Sequence, residues 1–325
     1  MKSCLSIALL SLAAAGCGGA PSRHPIASAC APGPRGTVTE FSISATALPW
    51  SLAVGGDDNI WFTDRSHGAI GKLDLSSGTV TELPTANQNV GAATEIARGP
   101  DGSLWFTVWN ALGRMTTAGI ASEIPVPIDG SNPWSIALGT DGNLWFTELS
   151  ANRVARMAPA TGTVTEFPVP TARNDLVGVA ATADGSIWAA EADQAKVLRL
   201  GPDHRLTEIA VQGTPQGMVA GSDGNLWIAE RRYIGRLSLS GALTELSLPD
   251  QDVTIRDAEQ IAEGPDGSFW YTDHVNSRVG RIDASGAITE YTLPGNQGPQ
   301  GIVLGPDDNL WFAEAFVGKI GCITP

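Results

Sequence analysis

Acidic side chains recur at one fixed place in this chain. Asp64, Glu148, Glu191, Glu230, Asp273 and Glu314 each stand three residues after a tryptophan. Converging carboxylates supply acid–base groups, or oxygen ligands for a hard cation such as magnesium or calcium. A position acidic in six copies points first to a structural duty, with each carboxylate accepting hydrogen bonds from a neighbouring strand. Symmetry would set the six around one end of a closed fold. The four histidines are His24, His67, His204 and His274, and each reads as a loop residue. His274 is set apart by its neighbour Asp273. The sequence has no Cys/His zinc spacing, phosphate-cradling loop, nucleophile elbow or basic groove. Trp50 and Trp134 share one repeat position, and Trp109 sits just past a tryptophan strand. They are candidates to line the mouth of a channel, against a small molecule or a protein. Packing inside the fold is the alternative.

The elements that must position these groups follow from a repeat. Trp61, Trp105, Trp145, Trp188, Trp227, Trp270 and Trp311 recur at spacings of 39 to 44 residues. That is the period of a four-stranded propeller blade. Each repeat opens with a short strand of small and β-branched residues, such as Ser135-Ile136-Ala137-Leu138. A tight turn follows, Asp-Gly in five repeats, which accepts the positive φ angles of two-residue hairpins. The tryptophan strand comes next, as in Leu144-Trp145-Phe146-Thr147-Glu148. A third strand reads Ile70-Gly71-Lys72-Leu73 and a fourth Val80-Thr81-Glu82-Leu83. Lys72, Arg114, Arg156, Arg199, Arg236 and Arg281 each precede a fourth-strand glutamate, so cross-strand ion pairs are expected.

The fourth-strand motif also occurs before the first repeat, at Val38-Thr39-Glu40-Phe41, and the seventh repeat stops after its third strand. The fold class predicted is all-β: one seven-bladed β-propeller of four-stranded blades, with the N-terminal strand closing the last blade. Closure removes exposed sheet edges. It also brings the two ends of the chain together, and Cys30 near Cys322, so a disulfide between them is expected. Residues 1–17 have the three-part form of an export signal, ending in Ala14-Ala15-Gly16-Cys17. That ending resembles a bacterial lipobox, in which Cys17 carries the lipid; an ordinary signal peptide is the alternative. Residues 18–35 read as a flexible tether and 36–325 as the propeller. The expected location is outside the cytoplasm, lipid-anchored in the bacterial cell envelope or periplasmic. The net charge of −14 disfavours nucleic acid and anionic lipid as partners. The membrane would be met only through the lipid, and a monomer is expected.

The string Gly-Pro-Asp-Gly-x-Leu-Trp-Phe-Thr-Glu, followed by Asn-Arg-Val and a Gly-Arg strand, resembles the streptogramin B lyase (virginiamycin B lyase) family. The clearest copies run from Gly139 to Glu148 with Asn152-Arg153-Val154, and from Gly264 to Asp273 with Asn276-Ser277-Arg278-Val279-Gly280-Arg281. The resemblance implies a seven-bladed propeller that opens a cyclic depsipeptide by elimination. It implies a general-base histidine and a magnesium ion held by carboxylates. The histidines would stand at the start of the first strand in the last two blades. Here those positions are Glu259 and Gln300, and the other blades have Trp50, Thr94, Trp134, Val177 and Gln216. The acidic position before Gln300 is Gly298, and only the later carboxylate, Glu314, is retained. Glutamine cannot take the proton. In blade six Asp257, Glu259 and Asp273 match the family's spacing, and with Glu314 they are the candidate ligands for magnesium or calcium, the only cofactors suggested. Trp50, Trp134 and Gln300 are the candidate ligand-binding residues. The expected function is a binding or scaffold protein of this family without the catalytic histidines. The alternative is a magnesium-dependent carbon–oxygen lyase acting with a relocated base.

Overall fold

A computed structural model describes residues 28–86, 92–171, 175–249 and 257–325. Cys17, His24 and the whole of the expected export signal lie outside these residues. The described strands form seven four-stranded antiparallel sheets. Six sheets follow chain order; the seventh is built from Pro299–Leu304, Leu310–Glu314, Lys319–Ile323 and, from the other end of the chain, Val38–Ser42. Val38 pairs with Ile323 and Ser42 with Lys319. The expected closure is therefore present. Cys30 and Cys322 are disulfide-bonded, with Cα atoms 6.1 Å apart. Cys30 is buried in the core between blades seven and one, so the chain joins the propeller from within the stretch expected to be a tether.

The second strand of every blade is buried along its whole length, because both its faces are covered. Successive side chains point to opposite faces. Trp61 thus packs against Ile96, Leu104 and Phe106 of blade two. Phe62, one residue on, packs on the other side with Trp311 and Ile320 of blade seven. The same Trp-Phe logic repeats round the ring and supplies the inter-blade cores. The third-strand glycine is the counterpart of that aromatic ring. Gly71 is the cross-strand partner of Phe62, and a Cβ there would lie 1.9 Å from the ring.

The expected pairing of the third-strand cations with the fourth-strand glutamates is overturned. Arg156 stands opposite Thr165, which puts Glu166 on the other face of the sheet. These cations instead reach the acid of the first hairpin turn, as in Lys72–Asp57 at 2.7 Å and Arg199–Asp184 at 2.9 Å. They also lie over the tryptophan ring. In four blades the glutamate is met by a different cation, at the start of the third strand: Arg153–Glu166, Lys196–Glu208, Arg278–Glu290 and Lys319–Glu40. In the first and last blades Asp58 and Asp308 take the positive-φ place that glycine fills elsewhere.

Candidate functional site

The channel is lined by the first strands of the seven blades. Its wide part has a volume of about 530 Å³ and small apolar walls such as Ala53, Ala137, Ala180 and Val303. At one end lies a narrower chamber of about 60 Å³, walled by Trp50, Trp134, Val177, Gln216, Glu259 and Gln300. All six hold one repeat position, at which the family resemblance implies histidine in the last two blades, here Glu259 and Gln300. A β-bulge brings them there. Pro49 pairs with Asp64 and Leu52 with Phe62, so Trp50 and Ser51 together oppose one residue, Thr63. The same irregularity recurs at Trp134, Glu259 and Gln300. A bulge re-aims side chains without ending the strand. The second-strand threonines brace it: Thr63 Oγ1 accepts from Ser51 N at 3.1 Å and donates to the Thr94 carbonyl of the next blade at 3.0 Å. Thr272 donates likewise to the Gln300 carbonyl at 2.7 Å.

Three features of this chamber have no signal in the sequence. Arg65 places its guanidinium 4.3 Å from the Trp50 ring centroid and 5.5 Å from that of Trp134. Glu95 bridges the channel beneath them, accepting from Ser135 Oγ at 2.6 Å and from Gln260 Nε2 of blade six at 2.9 Å. Burial pushes the Glu95 carboxyl up to about 7 against those hydrogen bonds. Each group is remote from its partners in the chain, and Arg65 stands in a turn whose composition is ordinary.

Blade six presents the most crowded polar corner. Asp257 accepts from Arg231 Nε at 2.9 Å. Burial raises the Asp257 carboxyl, with Arg231 opposing. Glu259 is pushed up to about 7, first by burial and then by the charge of Asp257. His274, expected in a surface loop, is half-buried: its Nδ1 meets Gln300 Nε2 and its ring meets Phe316 edge-on at 4.9 Å. Burial holds its pKa below the ordinary histidine value. Asp273 caps its own turn through Asn276 Nδ2 at 2.9 Å. The charges of Asp257 and Asp273 push Glu259 up and oppose the burial shift of His274, whereas Glu314 stands apart beside Glu40 and Lys319. Burial, then Glu40, pushes Glu314 up to about 8.

The residues present do not fit the magnesium site that the resemblance implies. Glu314 is buried beside Glu40, Gly298 has no side chain, and Gln300 offers a neutral amide engaged by His274. Asp257, Glu259, Asp273 and Glu314 do not converge into one cluster among the described residues; Asp64, His67 and Glu82 do. The six second-strand acids form no wall of the channel or of its mouth chamber. Each is fully buried within its blade. Asp64 and Glu230 accept backbone N–H groups, from Leu48 and Gly213. His204 lies against Phe167 on the outside. Trp109 is half-exposed and away from the chamber walls.

A family model described as the virginiamycin B lyase family matches residues 28–213 and 209–325. A virginiamycin B lyase of Nocardia farcinica is 34% identical over 225 residues, 68% of this chain and 76% of that protein. A solved structure of catalytically inactive virginiamycin B lyase from Staphylococcus aureus with quinupristin is 27% identical. It has a TM-score of 0.82 and covers 89% of this chain and 99% of that one. Hydrazine synthase of Kuenenia stuttgartiensis shares the fold alone, at 14% identity, a TM-score of 0.74, and coverage of 87% and 97%.

Proposed function

This chain belongs to the virginiamycin B lyase family, and from that premise we propose that it is an exported binding propeller whose ligand sits on the channel mouth. The observation that carries this reading is the chamber of Trp50, Trp134, Gln216, Glu259 and Gln300, with Arg65 held against the two indoles. Rigid aromatic faces beside a few fixed polar groups suit a ligand with flat, amide-rich surfaces. The chamber is too small to swallow such a molecule, so the ligand lies across it. No histidine stands at the mouth positions, and the glutamine there takes no proton. The Cys30–Cys322 bond suits an oxidising compartment, in line with export and a lipid at Cys17.

A second reading is favoured by one observation. Glu259, on the chamber wall with a pKa near 7, is matched to general-base work at neutral pH. In that reading the chain is a lyase with its base moved from histidine to glutamate. One experiment separates the two. Purified mature protein is titrated with quinupristin by tryptophan fluorescence, and the same mixture, with magnesium, is followed by mass spectrometry. The binding reading expects saturable quenching, no ring-opened product, and at least ten-fold weaker binding in Trp50→Ala and Trp134→Ala. Ring-opened product that disappears in Glu259→Gln establishes the lyase instead. Absence of both binding and product removes this ligand class from the mouth.

A further inference from the structure

In four blades a lysine or arginine at the start of the third strand stands opposite the buried acid of the second strand and pairs with the glutamate of the fourth. Blade one has Ala69 at that place, opposite Asp64 and Pro84. Asp64 and Glu82 are left facing one another, and His67 enters from the turn. His67 Nδ1 lies 2.8 Å from Asp64 Oδ2 and 3.1 Å from Glu82 Oε1. Asp64 is fully buried; its Oδ1 is occupied by Leu48 N and Ser66, and its Oδ2 faces His67 Nδ1. The far nitrogen of His67, Nε2, meets Thr46 Oγ1 at 3.1 Å. His67 and Glu82 are about a third exposed, so the group opens to solvent on one side.

We propose that Asp64, His67 and Glu82 form a binding site for one divalent transition metal, zinc in the first place. The ligand set is one imidazole nitrogen and two carboxylate oxygens, all within 4.8 Å of one another, with water completing the coordination from the open side. Zinc at its usual ~2.0–2.2 Å bond lengths needs ligand atoms about 3.3 Å apart, which the exposed His67 side chain reaches by moving a few tenths of an ångström. Thr46 supplies the partner that metal-bound histidines have on their other nitrogen, fixing Nδ1 as the ligating atom. The mixed nitrogen and oxygen donors favour zinc, cobalt or nickel over calcium and magnesium, which take oxygen alone. The metal replaces the cation that four of the other blades carry in the chain itself. It ties the turn after the second strand to the fourth strand. The site lies in a different blade from the polar corner of blade six, and although Arg65 follows Asp64 in the chain, zinc binding is measured without any ligand at the mouth.

The test uses tag-free mature protein, stripped with a chelator and dialysed. Zinc is added during calorimetric titration and thermal unfolding, and cobalt during optical spectroscopy. We expect one zinc per chain, a rise in Tm of roughly 5 °C at hundred-fold excess over Kd, and cobalt bands of a low-symmetry site. His67→Ala, on the surface, is expected to fold normally by circular dichroism and to lose all three signals; Glu82→Gln should weaken zinc at least ten-fold. No stoichiometric zinc in the wild type, or equal binding in His67→Ala, overturns the site. In the first of these outcomes protonated His67 is itself the missing cation. In the second the metal sits elsewhere.

Discussion

Glu314 shows what burial does to the glutamates that end four of the second strands. Its folded-state pKa, about 8, lies well above the ~4.3 of an exposed glutamate. Glu148, Glu191 and Glu230 are pushed up to about 7, in each case first by burial. Folding therefore favours the protonated acids. Their contribution is fully present below about pH 4 and is lost as pH rises through 7 to 8. Thermal unfolding should show Tm falling between pH 5 and pH 9. Glu314→Gln should match the wild type near pH 5 and exceed it at pH 9 by on the order of 1–3 kcal/mol. A wild-type profile flat across that range would contradict the buried-acid account. These acids were visible in the sequence as a repeated position; the expected backbone donors are present at Asp64 and Glu230, whereas neither oxygen of Glu314 has a hydrogen-bond partner among the described residues. The neighbours of these acids were not visible there. Whether a lysine, an arginine or a histidine stands over a given acid depends on the register of the third and fourth strands. Lys72 and Arg156 show the same limit: one step along a strand moves a charge to the opposite face, so adjacency in sequence misassigned their partners.

At the level of the strand, the pairing of aromatic and glycine explains the Ile-Gly-Arg and Trp-Phe motifs together. Phe106 faces Gly113, Tyr271 faces Gly280 and Phe312 faces Gly321 across neighbouring strands. Blade four inverts the pattern, with Leu198 opposite Ala189. The two positions share one volume. Gly71→Ala, whose new carbon would lie 1.9 Å from Phe62, should cost ~1–3 kcal/mol of stability by chemical denaturation. Gly71→Leu should be worse alone and largely recovered with Phe62→Ala, a coupling that a double-mutant cycle would read. Additive losses would show that the two residues do not share a space. Every strand was legible from hydrophobic alternation and turn residues, because each blade repeats the same local chemistry. The bulge at the start of the first strand was not legible. Ser51, Ser135 and Gly301 look like plain strand residues, and only the pairing across to the second strand shows that Trp50, Trp134 and Gln300 are turned toward the mouth.

The whole molecule is a ring of seven blades shut by a strand from its own beginning. The closure was legible because a fourth-strand motif stood before the first repeat and was missing after the last. The mouth was less so, since Arg65 of blade one meets Trp134 of blade three, and Glu95 of blade two meets Gln260 of blade six, only when the ring is complete. Cys322→Ser should lower stability by about 2–5 kcal/mol under oxidising conditions, by unfolding in denaturant, and reduced wild type should unfold at the same denaturant concentration as the variant. Equal stability of oxidised wild type and variant would leave the hydrogen-bonded strand as the sole fastening. The bond spans a separation of 292 residues. Nearly all of the described polypeptide is thus covalently circular, with only short tails outside. A protease that cuts a single surface loop between the two cysteines opens this circle without releasing a fragment. The cut protein keeps its full mass until a reductant is added, and both new ends stay tethered beside the blade they came from. Wherever the surroundings keep the bond oxidised, damage of that kind need not be loss.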